Sequence, residues 1–287
     1  MLAASRVGAI TCAAALMASL SAARAFDDAK YPDLSGMWLG VRLGVGGQPG
    51  FDPTKPWGLG QQAPLTAEYQ KVLEKSVADQ AGGGQGNWRT GADCLPPGMP
   101  AMMTAFQAME IIVLPETTYI RIDHIRDSRR RIFTDGRDWP KDALPSFDGY
   151  SIGHWLDLEG KGAFDTLEVE TRYFKGPRAM DATGIPLSED NQSIFKEKIH
   201  WDKNKPDVLT NEITTFDNAF THPWTVLKTY ERRKVDKPDW IEEVCTEGNQ
   251  HVGIGNEVYY LSGDGRLMPS KPGQAPPDLK YFNQTKK

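Results

Sequence analysis

Between Arg129 and Trp155 the chain reads RRRIFTDGRDWPKDALPSFDGYSIGHW, which packs an arginine run, an Asp-Gly-Arg turn, two tryptophans and a histidine between two strand-like segments. Arg131 and Arg137 beside Asp135 could clamp a carboxylate or another anion, because guanidinium presents a planar fork of donors. The plainer alternative is that Asp135 accepts bonds from its own turn and pairs with Arg137 at the surface, where such pairs contribute little. Strand alternation means that Arg130 and Arg131 cannot both face an interior. His154 shares an alternating face with Tyr150 and Ile152, so an inward imidazole could move a proton beside aromatic rings. Tyr150 and Trp155 supply surfaces on which an aromatic or sterol-like ligand could stack. A core histidine satisfied by one hydrogen bond is the alternative.

Asp217-Asn218-Ala219-Phe220-Thr221-His222-Pro223-Trp224 forms a second constellation. Pro223 holds His222 extended, and Asp217 lies near enough in the chain to orient it as a general base, with Trp224 as a further stacking surface. A structural loop closing one barrel end competes with that reading. Gly149-Tyr150-Ser151-Ile152-Gly153 beside His154 spells Gly-x-Ser-x-Gly, but it lies within an expected strand and not at a strand-to-helix turn, so it makes no nucleophile elbow and a serine hydrolase is disfavoured. The five histidines, His124, His154, His200, His222 and His251, have no i, i+2 or i, i+4 pair. With no His-Glu-x-x-His, Cys-x-x-Cys or EF-hand loop, neither a metal nor a cofactor is expected. The Gly-rich stretches at 44–47 and 82–86 do not sit between a strand and a helix, so they do not form a phosphate loop.

Strands must position these groups. From Met109 onward the apolar period is two: Met109 to Leu114 and Thr118 to Ile125 read as a hairpin, with Ile120, Ile122 and His124 on one face. Further strands are expected over 130–135, 150–156, 164–174, 193–201, 208–216, 225–233, 241–245 and 257–261. Thr66 is an N-cap signal for the one expected helix, whose Tyr69, Val72, Leu73, Ser76 and Val77 recur at helical spacing before Gly82-Gly83-Gly84 stops it. Many short strands and a single early helix predict an antiparallel, mainly β barrel or sandwich of about 8–10 strands.

The opening MLAASRVGAITCAAALMASLSAARA has the form of a signal peptide cut after Ala25. The domains expected are therefore residues 1–25 as leader, 26–262 as one β-barrel-like domain and 263–287 as a Pro-containing arm. Loss of Arg6 and Arg24 with the leader moves the net charge from −5 to −7, which argues against a nucleic-acid partner. No membrane span is expected in the mature chain. Cys94 and Cys245 survive the cut. In an exported chain they suggest a disulfide closing a loop of about 150 residues, worth about 4–5 kcal/mol on the chain-entropy account. Two free thiols, or a cysteine nucleophile, remain the alternative.

Several motifs together resemble a family of exported proteobacterial proteins mostly without assigned function. They are Pro32-Asp33-Leu34-Ser35-Gly36-Met37-Trp38, Cys94-Leu95-Pro96-Pro97-Gly98-Met99-Pro100, Thr134-Asp135-Gly136-Arg137, Gly149-x-Ser151-Ile152-Gly153-x-Trp155, Asp165-Thr166-Leu167-x-Val169-Glu170-Thr171 and Phe220-Thr221-x-Pro223-Trp224, with the late Cys245. The likeness implies a secreted, lipocalin-like β-barrel. Leu156 to Phe164 departs from it, since the family runs from Gly-x-Trp directly into Glu-Gly-Asp-Thr-Leu. Two functional expectations follow. One is a periplasmic or secreted binder of a small hydrophobic or aromatic molecule, acidic or not, in a barrel pocket rimmed by Arg131, Arg137 and His154. The other is a cofactor-free lyase, isomerase or hydratase that uses His154 or His222 with Asp135 or Asp217.

Overall fold

The computed structural model describes residues 27–41, 54–55, 59–88, 93–104, 108–122, 128–233, 250–254 and 257–277. Nine strands close into a barrel in chain order: β1 (Met37–Gly40), β2 (Met109–Leu114), β3 (Thr117–Ile122), β4 (Ser128–Phe133), β5 (Tyr150–Leu156), β6 (Thr166–Arg172), β7 (Ile194–Trp201), β8 (Val208–Phe216) and β9 (Trp224–Arg233). This is the expected mainly β, lipocalin-like architecture. The expected strand over 241–245 lies outside the described residues. β10 (His251–Ile254), β11 (Glu257–Leu261) and β12 (Leu267–Pro269) form a separate antiparallel sheet, so the Pro-containing arm contributes a strand. No helix among the described residues is long and apolar enough to cross a membrane.

The helix α1 (Ala67–Ala81) starts where Thr66 Oγ1 accepts a bond from the Tyr69 amide at 3.4 Å and ends at Gly82. Every neighbouring pair of barrel strands is antiparallel except β4–β5, which runs parallel. A parallel pair needs a crossover, and residues 134–149 make it. Two seams are short: β4–β5 pairs only Ile132 with Ser151 and Phe133 with Ile152, and β1–β2 pairs only Met37 with Glu110 and Trp38 with Met109.

Alternation sends Ile120, Ile122, Ile132, Leu167, Val169, Phe195, Ile199, Leu209, Ile213 and Tyr230 into one core with Trp38. The Cys94–Pro100 loop and the 3-10 turn Ala101–Thr104 add Met99, Met102 and Met103, each 0 % exposed. Those methionines enter where β5 begins and β6 ends: the Met99 amide donates to Phe147 O at 3.1 Å, and Arg178 Nη1 donates to Met99 O at 3.0 Å. At the opposite end Tyr31 meets Trp155 edge-on at 5.5 Å and Phe164 at 5.0 Å.

Candidate functional site

Inside the barrel the apolar packing is interrupted by one polar network. Arg130, inward on β4 between Ser128 and Ile132, donates from Nε to Ser151 Oγ (3.2 Å), from Nη1 to Glu197 Oε1 (3.1 Å), and from Nη2 to Thr171 Oγ1 (2.8 Å) and Glu197 Oε2. Asn211 Nδ2 adds a bond to Glu197 Oε1 at 2.9 Å, and Tyr230 donates its hydroxyl to Met103 O at 2.7 Å. Burial, then the Glu197 charge, pushes the Tyr230 phenol up. The Arg130 and Glu197 side chains are 1 % and 0 % exposed. With four of the five guanidinium N–H groups bonded to protein, Arg130 is committed to the fold.

A concave surface of the right size lies instead on the outer face of β5 to β8. There a groove of about 490 Å³ runs between Trp139, Phe216, His154 and the strands beneath. Its floor follows the cross-strand register: His154 stands beside Glu168, Glu168 beside Lys198, and Lys198 beside Glu212. The adjoining row is Ile152, Glu170, Lys196 and Thr214. The ion pairs in it are loose, Lys198–Glu168 at 3.5 Å and Lys196–Glu170 at 3.6 Å, with both ammoniums more than half exposed. Trp139 comes from the β4–β5 crossover and is pinned by the Arg172 guanidinium 4.4 Å from its ring, with Tyr150 at 6.1 Å and Tyr173 at 6.0 Å. The groove thus offers an aromatic wall, an apolar strip, two replaceable cations, and an imidazole next to a carboxylate.

The structure corrects several sequence-based placements. His154 is exposed on the outer face, because β5 turns Ser151 inward to meet Arg130 and covers Ile152 with the crossover. Arg131 also points outward, 5.3 Å from the Tyr119 ring and 5.8 Å from that of Phe133. Asp135 and Arg137 are exposed and pair with each other: Arg137 Nε donates to both Asp135 oxygens at 2.9 Å, and this holds the carboxyl down at about 2. Arg137 also lies over Phe133 at 3.7 Å and reaches the Tyr150 hydroxyl at 3.4 Å. The plainer reading of that turn is the observed one.

Asp217 does not orient His222. Its oxygens accept from the amides of Ser188 and Ala219, both at 2.8 Å, and from Ser193 Oγ, while exposed His222 meets the Thr221 hydroxyl at 3.1 Å. Trp155 donates to Thr118 Oγ1 at 3.3 Å, and Trp224 packs edge-on against Phe220 at 5.8 Å. His154, His222, Asp135 and Asp217 therefore occupy separate places, and of the expected site residues His154 alone lines the groove. His124 and Cys245 lie outside the described residues.

Sequence reading missed Arg130 and Glu197, Trp139, and Asp148. Asp148 precedes β5 with its Oδ1 buried and unbonded, and burial pushes its carboxyl up to about 6 against the pull of Arg130. A glutamate at an inward position of an otherwise alternating strand was a readable signal for Glu197. Nothing local marked Asp148. Among the described residues no three His, Cys, Asp or Glu side chains converge in a way that could hold a metal. In comparisons with protein-family models, curated proteins and solved structures, nothing matches this chain.

Proposed function

We propose that this is an exported, periplasmic protein that holds a small hydrophobic or aromatic acid in the outer groove, stacked on Trp139. The observation that carries the reading is the groove itself, whose volume of about 490 Å³ falls in the range of small-ligand sites. Ile152, Trp139 and Phe216 give it apolar area. Lys198, in an exposed ion pair, and Lys196, in another and with its ammonium 5.6 Å from the Phe216 ring, can turn to a ligand carboxylate at little cost. The leader with its cut after Ala25, the Cys94–Cys245 disulfide and membership of the exported family named above belong to the same proposal.

A panel of aromatic and terpenoid acids, screened by thermal shift, tests it. At least one member should raise the melting temperature, Trp139→Ala should weaken its binding tenfold or more, and the Lys196→Ala/Lys198→Ala variant should lose the preference for acids over the matching alcohols. Absence of any shift across the panel, or binding indifferent to Trp139, would end this reading.

A second reading rests on His154 and Glu168, which are direct cross-strand partners at the groove. They could serve a cofactor-free lyase, isomerase or hydratase as proton carrier and orienting carboxylate. Turnover of a bound compound that survives His154→Ala unchanged removes that alternative.

A further inference from the structure

One carboxylate on the floor of the groove has no partner. Glu212 is exposed at an outward position of β8 and lines the groove, with Lys198 of β7 directly across from it on one side and Leu227 of β9 on the other. Its carboxylate makes no hydrogen bond or ion pair with any described residue. The neighbouring ammonium does not serve it: Lys198 Nζ lies 3.5 Å from Glu168, its cross-strand partner on β6, and the lysine side chain is 57 % exposed. Glu170 is engaged twice, by Arg172 and, at 3.6 Å, by Lys196. Both lysines of the groove, and the arginine behind Trp139, are thus already turned to a carboxylate, and Glu212 is the acid left over.

A plain acid that drew Lys198 onto its carboxylate would stand between Glu168 and Glu212, one ammonium among three carboxylates, and like charges side by side on a sheet repel. A ligand that brings an ammonium of its own removes the imbalance, because that group can go to Glu212 while the carboxylate stays on Lys198. The spacing suits two groups attached to one carbon: residues directly opposite on antiparallel strands hold their Cβ atoms about 4.5–5.5 Å apart. The aromatic walls lie further along the same strands. Lys196, with its ammonium 5.6 Å from the Phe216 ring, is two residues from Lys198, which is about 6.6 Å of strand. A ring one or two bonds from the charged carbon therefore reaches the part of the groove that Trp139 and Phe216 line. We propose that the groove takes an α-amino acid with an aromatic side chain, its carboxylate on Lys198, its ammonium on Glu212 and its ring against Trp139. This assignment rests on the groove being a site for an aromatic acid and adds which acid it selects.

Isothermal titration of the intact protein with L-phenylalanine, and with 3-phenylpropionate and 2-phenylethylamine as probes that each lack one charged group, tests the assignment. L-phenylalanine should bind at least tenfold tighter than either. Glu212→Gln should erase that advantage, bringing L-phenylalanine and 3-phenylpropionate to within twofold of each other. Since Glu212 is exposed and unpaired among the described residues, the melting temperature of that variant should match the parent, which separates lost affinity from lost folding. If 3-phenylpropionate binds as tightly as L-phenylalanine and depends on Trp139, the amino-acid assignment is overturned and the acid site stands. An advantage for L-phenylalanine that survives Glu212→Gln, or no binding of L-phenylalanine at millimolar concentration, overturns it as well. If every acid of the wider panel also fails to bind, the reading of the groove falls with it.

Discussion

The glutamate at the centre of the lumen gives the most exacting test of how this barrel is held. In Glu197→Gln an amide group of the same shape replaces a carboxylate that accepts two bonds from Arg130 and one from Asn211. One former acceptor becomes a donor facing other donors, and the guanidinium is left charged at 1 % exposure. Removing one partner of a buried ion pair costs about 3–5 kcal/mol, most of it the desolvation of the charge left behind. Ser151 and Thr171 still accept from Arg130, so the lower half of that range, about 3–4 kcal/mol, is expected. In a chain of this size that lowers the melting temperature by about 6–15 °C. Guanidinium unfolding at pH 7, followed by circular dichroism, measures the loss. Arg130→Met/Glu197→Leu, which removes both charges at similar volume, should recover most of it. A Glu197→Gln loss below about 1 kcal/mol, or a double variant as unstable as the single one, would refute the argument that an uncompensated charge is the cost.

Two further outcomes are expected. Asp148 titrates higher in the folded protein, about 6, than the usual 3.8, so the folded state binds the proton more tightly and its share of stability falls as pH rises from about 4 to about 6. With Oδ1 fully buried but the residue only half-buried, the loss is at most about 3 kcal/mol. Asp148→Asn should remove that decline and stabilise the protein at pH 7; unchanged pH curves from urea melts would count against it. Gly149→Ala places a Cβ at φ +72°, 2.4 Å from Phe174 Cε1 and 2.8 Å from Arg172 O, and should cost about 2–4 kcal/mol. Gly136→Ala, at φ +77° with nothing within 4 Å, should cost about 1 kcal/mol, and equal losses for the two would show that the contact does not matter.

The barrel was legible because most of its strands are buried on one face. Leu167 and Val169 against Glu168 and Glu170, or Ile120 and Ile122 against Tyr119 and Arg121, announce their inner side by alternation alone. Thr66 announced the helix by the same kind of local rule. His154 was misplaced because β5 is covered on both sides. Its apolar outer residue Ile152 is buried and lines the same groove as Trp139, while its inner face carries Ser151 for Arg130 and the small Gly153. Apolarity then no longer marks the lumen, and period-two reasoning selects the wrong face. The groove and the setting of Asp148 were hidden for a related reason. Each is assembled from segments that meet only when the sheet closes.

The two brief seams divide the cylinder into unequal leaves: β2 to β4 on one side, and β5 to β9 with β1 on the other. Arg130 belongs to the smaller leaf and Glu197 to the larger. Their bond spans the bore like a tie-rod between two half-shells. Cutting it would let the shells swing about their joints while each stayed intact, so exchange-labile amides should appear first along the joints and last in β6 to β8.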